Sequence, residues 1–488
     1  MGTAGTSAAT QNATNLTIST GLSVAGNIEA YGSNISLGGS LTVSSGTANR
    51  ILVKALGGVT SSAAFNYTTV GGDITFWADA DASTSGNIWL VDSNSFATSG
   101  GRVTLAGGAD DGGSTVVTGR AAGDGYPDGF AWGTGATTIW NENNRGVMLS
   151  SSNTINTSGG SVFIAGHGPN QFTGVGGQGV VLGRATRIAA GSGKIAIFGV
   201  TNATGTVSNA FNTGVEMQGY GGTAVRPLTI SSSNGSSDAI EIRGDASAST
   251  SEASPGVASA SFETRTTAPA NYIANIGAGG VIVTGRGGTT PFNSLADIVG
   301  DGVEFGGMAV LAKSGPIVFT GDTSASSSGR AYGFSLDHTT MPNYATTPSF
   351  IGALSAGSVE SVDMSTSTSN VTFNVDSLYN LDVDNTKSLL TSGAVTIQPA
   401  RSAQSFDRDF SFKGFAFASN LSGLTIGSAG TSASTQTASA ITMDQATSVA
   451  GPIAIYGGAV SVNQNLTAST ANGSIAINSN GLFTNSAA

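Results

Sequence analysis

Three short motifs lie in an order that could support acid–base chemistry: Asp110-Asp111, then Gly166-His167-Gly168, then Arg187-Ile188. Cleaving a glycosidic bond with inversion takes two carboxyl groups, one to protonate the leaving oxygen and one to activate water. A second set of residues suits binding. Tyr126, Phe130, Trp132 and Trp140 crowd into one glycine-rich stretch, 110–144; exposed aromatic rings stack on sugars or anchor interfaces, and the competing reading is that these rings cap a gap where coils diverge. A third set is acidic. Asp79 and Asp81, Asp110 and Asp111, Asp124 and Asp128, and Asp382 and Asp384 sit in short turns and offer the hard oxygen ligands that calcium prefers.

Each set meets a competing reading. The order of the first resembles polygalacturonase-like enzymes, but Ala189 stands where their Lys belongs and no Asn-Thr-Asp precedes the aspartate pair. When the repeats described below are aligned, His167 takes the place of Gly108, just past a strand, so it is expected as an exposed corner residue. Asp110, Asp111 and His167 are therefore the runner-up catalytic set, and the first expectation is no catalysis. The acidic turns lack EF-hand spacing and any Gly-Gly-x-Gly-x-Asp run. Calcium at Asp79, Asp81, Asp124 or Asp128 is thus a weak candidate, and no other cofactor is expected. The second histidine, His338, lies in a polar stretch and reads as a loop residue. With two histidines and no cysteine, thiolate zinc, disulfides and thiol catalysis are excluded.

The composition narrows the partners. The net charge is −11 and the 18 Lys and Arg are dispersed through the 488 residues, which argues against nucleic acid, because phosphate binding needs concentrated positive charge. No apolar run approaches the ~18 residues of a membrane-spanning helix, so no membrane insertion is expected. The first residues lack the charged and apolar regions of a signal peptide, so the expectation is either a cytoplasmic protein or an internal piece of a longer secreted one.

The elements that must position these residues repeat. Aligning 86–108, 146–168 and 179–200 shows glycine, an aliphatic pair, a polar stretch, glycine and a second aliphatic pair. Ile88 precedes Val103 by 15 residues, Val147 precedes Val162 by 15, and Val180 precedes Ile195 by 15. Looser copies occupy 26–43, 302–322, 440–458 and 472–483. Within "SVFIAG", Val162 and Ile164 face one way while Ser161, Phe163 and Ala165 face the other. A short strand pair cannot bury its apolar face alone, whereas stacked copies bury it in a column. The expected fold is all-β, a parallel right-handed β-helix (β-solenoid) with loop insertions. An antiparallel sandwich explains the copy-to-copy likeness less well. At roughly 20–30 residues per coil and ~4.8 Å per rung, the chain would make about 16–24 coils. The expected organisation is a flexible lead over 1–14 and coils over 15–351, with insertions near 110–144, 245–272 and 322–350. Irregular β coils follow over 352–417, and further coils over 418–488 lead toward a missing C-terminal part.

The stretches "SGNIWLVDSNSFATSGGRVTLAGG" and "SSSNTINTSGGSVFIAGHG" resemble coils of filamentous haemagglutinin-like exoproteins, the passengers of two-partner secretion and related autotransporters. The likeness covers roughly 15–199 and 440–483. It implies a secreted, non-catalytic segment at the bacterial cell surface, serving adhesion or cell contact or acting as an extended stalk. The implied partners are glycans or proteins of host or bacterial surfaces, and an outer-membrane secretion partner for the full-length protein. The family's signal peptide and N-terminal secretion domain have no counterpart here, which points to an internal segment. Two alternatives stand beside it: a polysaccharide-degrading β-helix enzyme, and a filament subunit assembling homotypically end to end through its unpaired coil edges.

Overall fold

The computed structural model describes residues 1–5, 10–11, 14–112, 121–135, 142–170, 172–174, 176–204, 212–219, 227–250, 254–261, 269, 271–289, 300–325, 331–336, 348–379, 387–400, 405–471 and 473–487. The chain winds as a three-sided parallel β-solenoid. Each turn lays one strand on each of three sheets in a fixed order. One turn, for example, uses Ile88–Leu90, Ser95–Ala97 and Val103–Gly107, and each strand pairs in parallel with its counterpart one turn on, Val147–Leu149, Thr154–Asn156 and Val162–His167. Among the described residues the first sheet has 11 strands and the second 12. The third has 15, of which Ala131–Trp132 lies off the main path, leaving fourteen rungs from Ile28–Gly32 to Ile475–Ser479. Toward the C-terminal end a four-stranded sheet beginning at Phe410–Phe412 and a pair formed by Thr447–Val449 and Leu466–Ala468 follow the first and second sheets.

The 15-residue spacing is the path from the first sheet to the third, since Ile88, Val147 and Val180 are in register, as are Val103, Val162 and Ile195. The polar stretch between them holds a strand that the two-strand reading overlooks. Ser95–Ala97, Thr154–Asn156 and Arg187–Ala189 form rungs of the second sheet, each turning a single apolar residue inward: Phe96, Ile155 or Ile188. Inward residues of all three sheets make one core running from Ile18 to Val462. Fully burying such a Val, Leu, Ile or Phe contributes ~1.5–3 kcal/mol. Hydroxyl and amide side chains dominate the outward positions of the end coils.

Each corner has its own chemistry. Between the first and second sheets, Asn94 and Asn153 point inward and their Nδ2 groups donate to Val91 O and Ser150 O, both at 2.7 Å. Between the second and third, Thr-Ser-Gly-Gly turns the chain, with Thr98 and Thr157 donating to Gly101 O and Gly160 O. Between the third sheet and the next turn, the backbone passes against itself. Gly166, Gly199, Gly244, Gly285 and Gly321 share one register. A Cβ at any of them would lie 1.7–2.2 Å from the carbonyl oxygen of Gly179, Gly214, Gly256, Gly302 or Gly333, respectively. This close approach is why aliphatic pairs are set off by glycine.

The turns are longer and fewer than expected from sequence. Along the third sheet the advance runs from 22 residues, Ile453 to Ile475, to 59, Val103 to Val162. The fourteen rungs therefore span ~60 Å at ~4.8 Å each. Insertions at the corners absorb the difference. The stretch 245–272 contains a first-sheet rung, Val257–Ser261, and 322–350 contains Phe334–Ser335.

Candidate functional site

The insertion after Val103–Gly107 returns into the third sheet, turning Ala131 into the core and Phe130 onto the sheet's outer face. Its strand Ala131–Trp132 pairs in parallel with Gly166 and His167, and Trp132 exchanges backbone bonds with Gly86 at 2.8 and 3.0 Å. The Trp132 ring stacks on the His167 imidazole, with centroids 3.6 Å apart and planes 17° apart, and Phe130 meets that imidazole edge-on at 5.9 Å. His167 is thus not an exposed corner residue. It ends the strand Val162–His167 and is 7% exposed, because the returning insertion covers it. Its Nδ1 lies 2.5 Å from Gly168 O, which fixes the proton on Nδ1. Burial pushes its pKa down to about 4, outweighing the Gly168 carbonyl and the Asp245 charge, which both favour the cation.

The other residues singled out from sequence hold the insertion together. Asp110 accepts backbone N–H bonds from Gly123 (2.6 Å), Asp124 (3.1 Å) and Gly125 (2.8 Å). Asp128 accepts one from Gly112 at 2.7 Å, and Asp124 one from Tyr126 at 3.0 Å. The Tyr126 hydroxyl bonds to Asp73 while Arg102 sits 4.8 Å over its ring. Phe130 packs against Ala106, Phe163, Ala165 and Phe198. Asp79 is buried and accepts bonds from Ser83 Oγ (3.0 Å), Thr84 N (3.2 Å) and Ser85 N (3.3 Å), while Asp81 accepts one from Ser83 N (3.3 Å). Burial pushes the Asp79 pKa up. Among the described residues, no three His, Cys, Asp or Glu converge to hold a metal ion. Trp140, His338, Asp382 and Asp384 lie outside the described residues.

Two features were not picked out from sequence. On the outer face of the first sheet, Arg145 Nε donates to Gln178 (3.2 Å), and Gln178 Nε2 donates to Glu216 (2.7 Å), all three buried. Burial raises the Glu216 pKa and lowers that of Arg145. Asp301, buried beside Glu304, is pushed well up by burial and then by that neighbouring charge. These alternating positions read as ordinary surface residues until neighbouring turns cover them.

The second feature is a cleft. After Ser349–Gly352 on the second sheet, the chain makes a hairpin, Ser358–Val359 against Val362–Asp363. Leu354, Val359 and Met364 pin it to Ala274, Ala309, Leu311 and Phe350 on the sheet's outer face. Its tip, Glu360-Ser361, has positive φ at both residues, 50° and 65°. Two-residue turns of this kind favour Asn, Asp or Gly. The tip points back along the sheet to Arg187, whose Nε donates to Glu360 Oε1 at 2.7 Å while Nη2 makes a second bond to Oε2. Between hairpin and sheet lies an open cleft of about 540 Å³, floored by Thr154, Arg187, Thr229 and Tyr272 on four successive rungs. A smaller groove, about 360 Å³, forms where Thr134 and Asn143 of the first insertion overhang the first sheet.

These features define a class, a parallel β-solenoid whose insertions fold onto its faces. Compared with models of known families, with curated proteins and with solved structures, the chain matches none.

Proposed function

We propose that this solenoid is a segment of a secreted bacterial exoprotein of the filamentous haemagglutinin-like kind, working by display and contact at the cell surface without catalysis. The observation that supports this reading most is the placement of its concave surfaces. Both grooves described above form where an insertion overhangs a continuous sheet, so a rigid rod presents shaped recesses of mixed polar and apolar lining along its sides. Loops on a rigid scaffold are where binding residues concentrate. The outer rungs add hydroxyl and amide groups with little charge, 10% of residues in all, a surface suited to many weak polar contacts. The Asp110 carboxylate is occupied in turn formation and His167 is stacked and neutral, so the polygalacturonase-like set has little support.

The test is saturable binding of the labelled chain to whole cells and to immobilised surface glycans and proteins, with and without calcium. A reducing-end assay on polysaccharides runs in parallel. Saturable binding without release of reducing ends is expected. No binding to any surface, or turnover of a polysaccharide, would overturn the reading.

A further inference from the structure

The geometry points to the cleft between the hairpin 354–364 and the second sheet as a binding site for an uncharged oligosaccharide. This inference rests on the contact reading above and gives it a site and a ligand class.

Three observations carry it. The first is the paired charge at the mouth. Arg187 and Glu360 come from positions 173 residues apart and meet in a two-point bond, with side chains 40% and 20% exposed. A guanidinium edge beside a carboxylate offers donors and acceptors next to each other. Two adjacent hydroxyls of a sugar, one accepting and one donating, match that arrangement. Because the two charges cancel, neither an anionic nor a cationic ligand is favoured, and a uronate would meet the Glu360 carboxylate.

The second observation is the rest of the lining. Ser152, Thr154, Thr229 and Ser358 supply hydroxyls, and Tyr272 with Pro227 supplies apolar surface for a sugar's C–H face. The floor residues lie on consecutive rungs about 4.8 Å apart, close to the advance of an extended hexose chain per residue. At about 540 Å³ the cleft falls within the ~300–1,000 Å³ range of small-ligand sites. A peptide joining as an added strand would need an open sheet edge, whereas Arg187–Ala189 and Leu228–Ser232 are paired on both sides.

The third is the hairpin tip. Glu360 and Ser361 both adopt the left-handed backbone that a two-residue hairpin turn requires, at a cost to non-glycine residues. The apolar anchors Leu354, Val359 and Met364 hold the hairpin so that its strained tip delivers one carboxylate to Arg187. That tip reaches four rungs back, from the rung of Phe350 to that of Arg187.

The experiment titrates the full chain with cello-, laminari-, malto-, manno- and chito-oligosaccharides and, as the acidic arm, oligogalacturonate. Saturation-transfer NMR and calorimetry read the binding. At least one neutral oligosaccharide should bind saturably, weakened tenfold or more by Glu360→Gln and by Thr229→Trp, which fills the floor from outside the core. Hydrogen exchange on the unaltered chain, which needs no variant, should show slowed exchange in 354–364 with sugar bound. The inference is overturned if no neutral oligosaccharide binds, if neither variant weakens binding, if exchange in the hairpin is unchanged, or if oligogalacturonate binds more tightly. Cell binding separates the two levels. Cells bound without any sugar in the cleft would sink this site and leave the contact reading standing, whereas binding to neither would sink both.

Discussion

Protonating His167 should pull the first insertion off the third sheet. The imidazole lies under Trp132 and against Phe130, 7% exposed, and its pKa is about 4 in the folded chain against an ordinary 6.5. Between those values the unfolded chain holds a proton that the folded chain does not. Stability is therefore complete above about pH 6.5, falls as the pH drops through the window, and is flat below about 4. At ~1.4 kcal/mol per pKa unit, the full loss from this group is about 3 kcal/mol. The unfolded reference can be local: if lifting 121–135 costs less than that, the insertion detaches while the coils stay stacked, because a solenoid loses structure unit by unit. The assay is NMR titration of the imidazole. The chain has two histidines, so a His338→Asn variant leaves a single titrating signal. The midpoint should lie well below 6.5, at about 4 where the insertion stays docked and above that where protonation lifts it, and Trp132→Ala should raise it toward 6.5. A midpoint near 6.5 in the unaltered chain would refute the stacking and burial from which the shift follows.

Three further outcomes follow from the corners and turns. Gly244→Ala would place a Cβ 1.8 Å from Gly256 O and should cost upwards of ~4 kcal/mol, read as a lowered denaturation midpoint, while Gly235→Ala, with nothing within 4 Å, should have little effect. Asp110→Ala removes the carboxylate that accepts from Gly123, Asp124 and Gly125, leaving Gly123 and Asp124 only their longer bonds to the Asp110 and Ala121 carbonyls. At ~1–3 kcal/mol of local stability, cleavage within 121–128 should speed up about tenfold or more in limited proteolysis, with coil protection unchanged. Calcium should leave the melting temperature unchanged, since the oxygens of Asp79 and Asp110 already receive hydroxyl or backbone N–H donors. A calcium-dependent rise would reassign those turns as ion sites.

The architecture was legible because one turn of the solenoid is a local object. The equal spacing from Ile88 to Val103 and from Val147 to Val162 needs only an uninterrupted path along the second sheet, and in those turns nothing interrupts it. The second-sheet strand itself was not legible. Thr154–Asn156 carries one inward apolar residue, Ile155, between two polar ones, and a strand of three with a single buried position leaves too little alternation to stand out from a turn. The coil count is hidden for the opposite reason. Corner insertions such as the one between Val103 and Val162 lengthen a turn without adding a rung.

The environment of a residue was legible only where its covering segment is close in sequence or repeats. Corner glycines announce themselves because five in register face the same constraint. His167 gave the opposite signal. Aligned with Gly108 it looks exposed, and only the path of a nonrepeating insertion lays Trp132 over it. Arg187 and Glu360 are the extreme case. Their meeting depends on every intervening turn keeping register and on the hairpin being pinned by Leu354, Val359 and Met364. A stacked scaffold turns sequence separation into a fixed number of rungs, so a loop leaving one turn reaches a residue several turns away at a defined distance. That is how a fold built from near-identical rungs acquires one place unlike the others, and why that place depends on the insertion and not on the repeat.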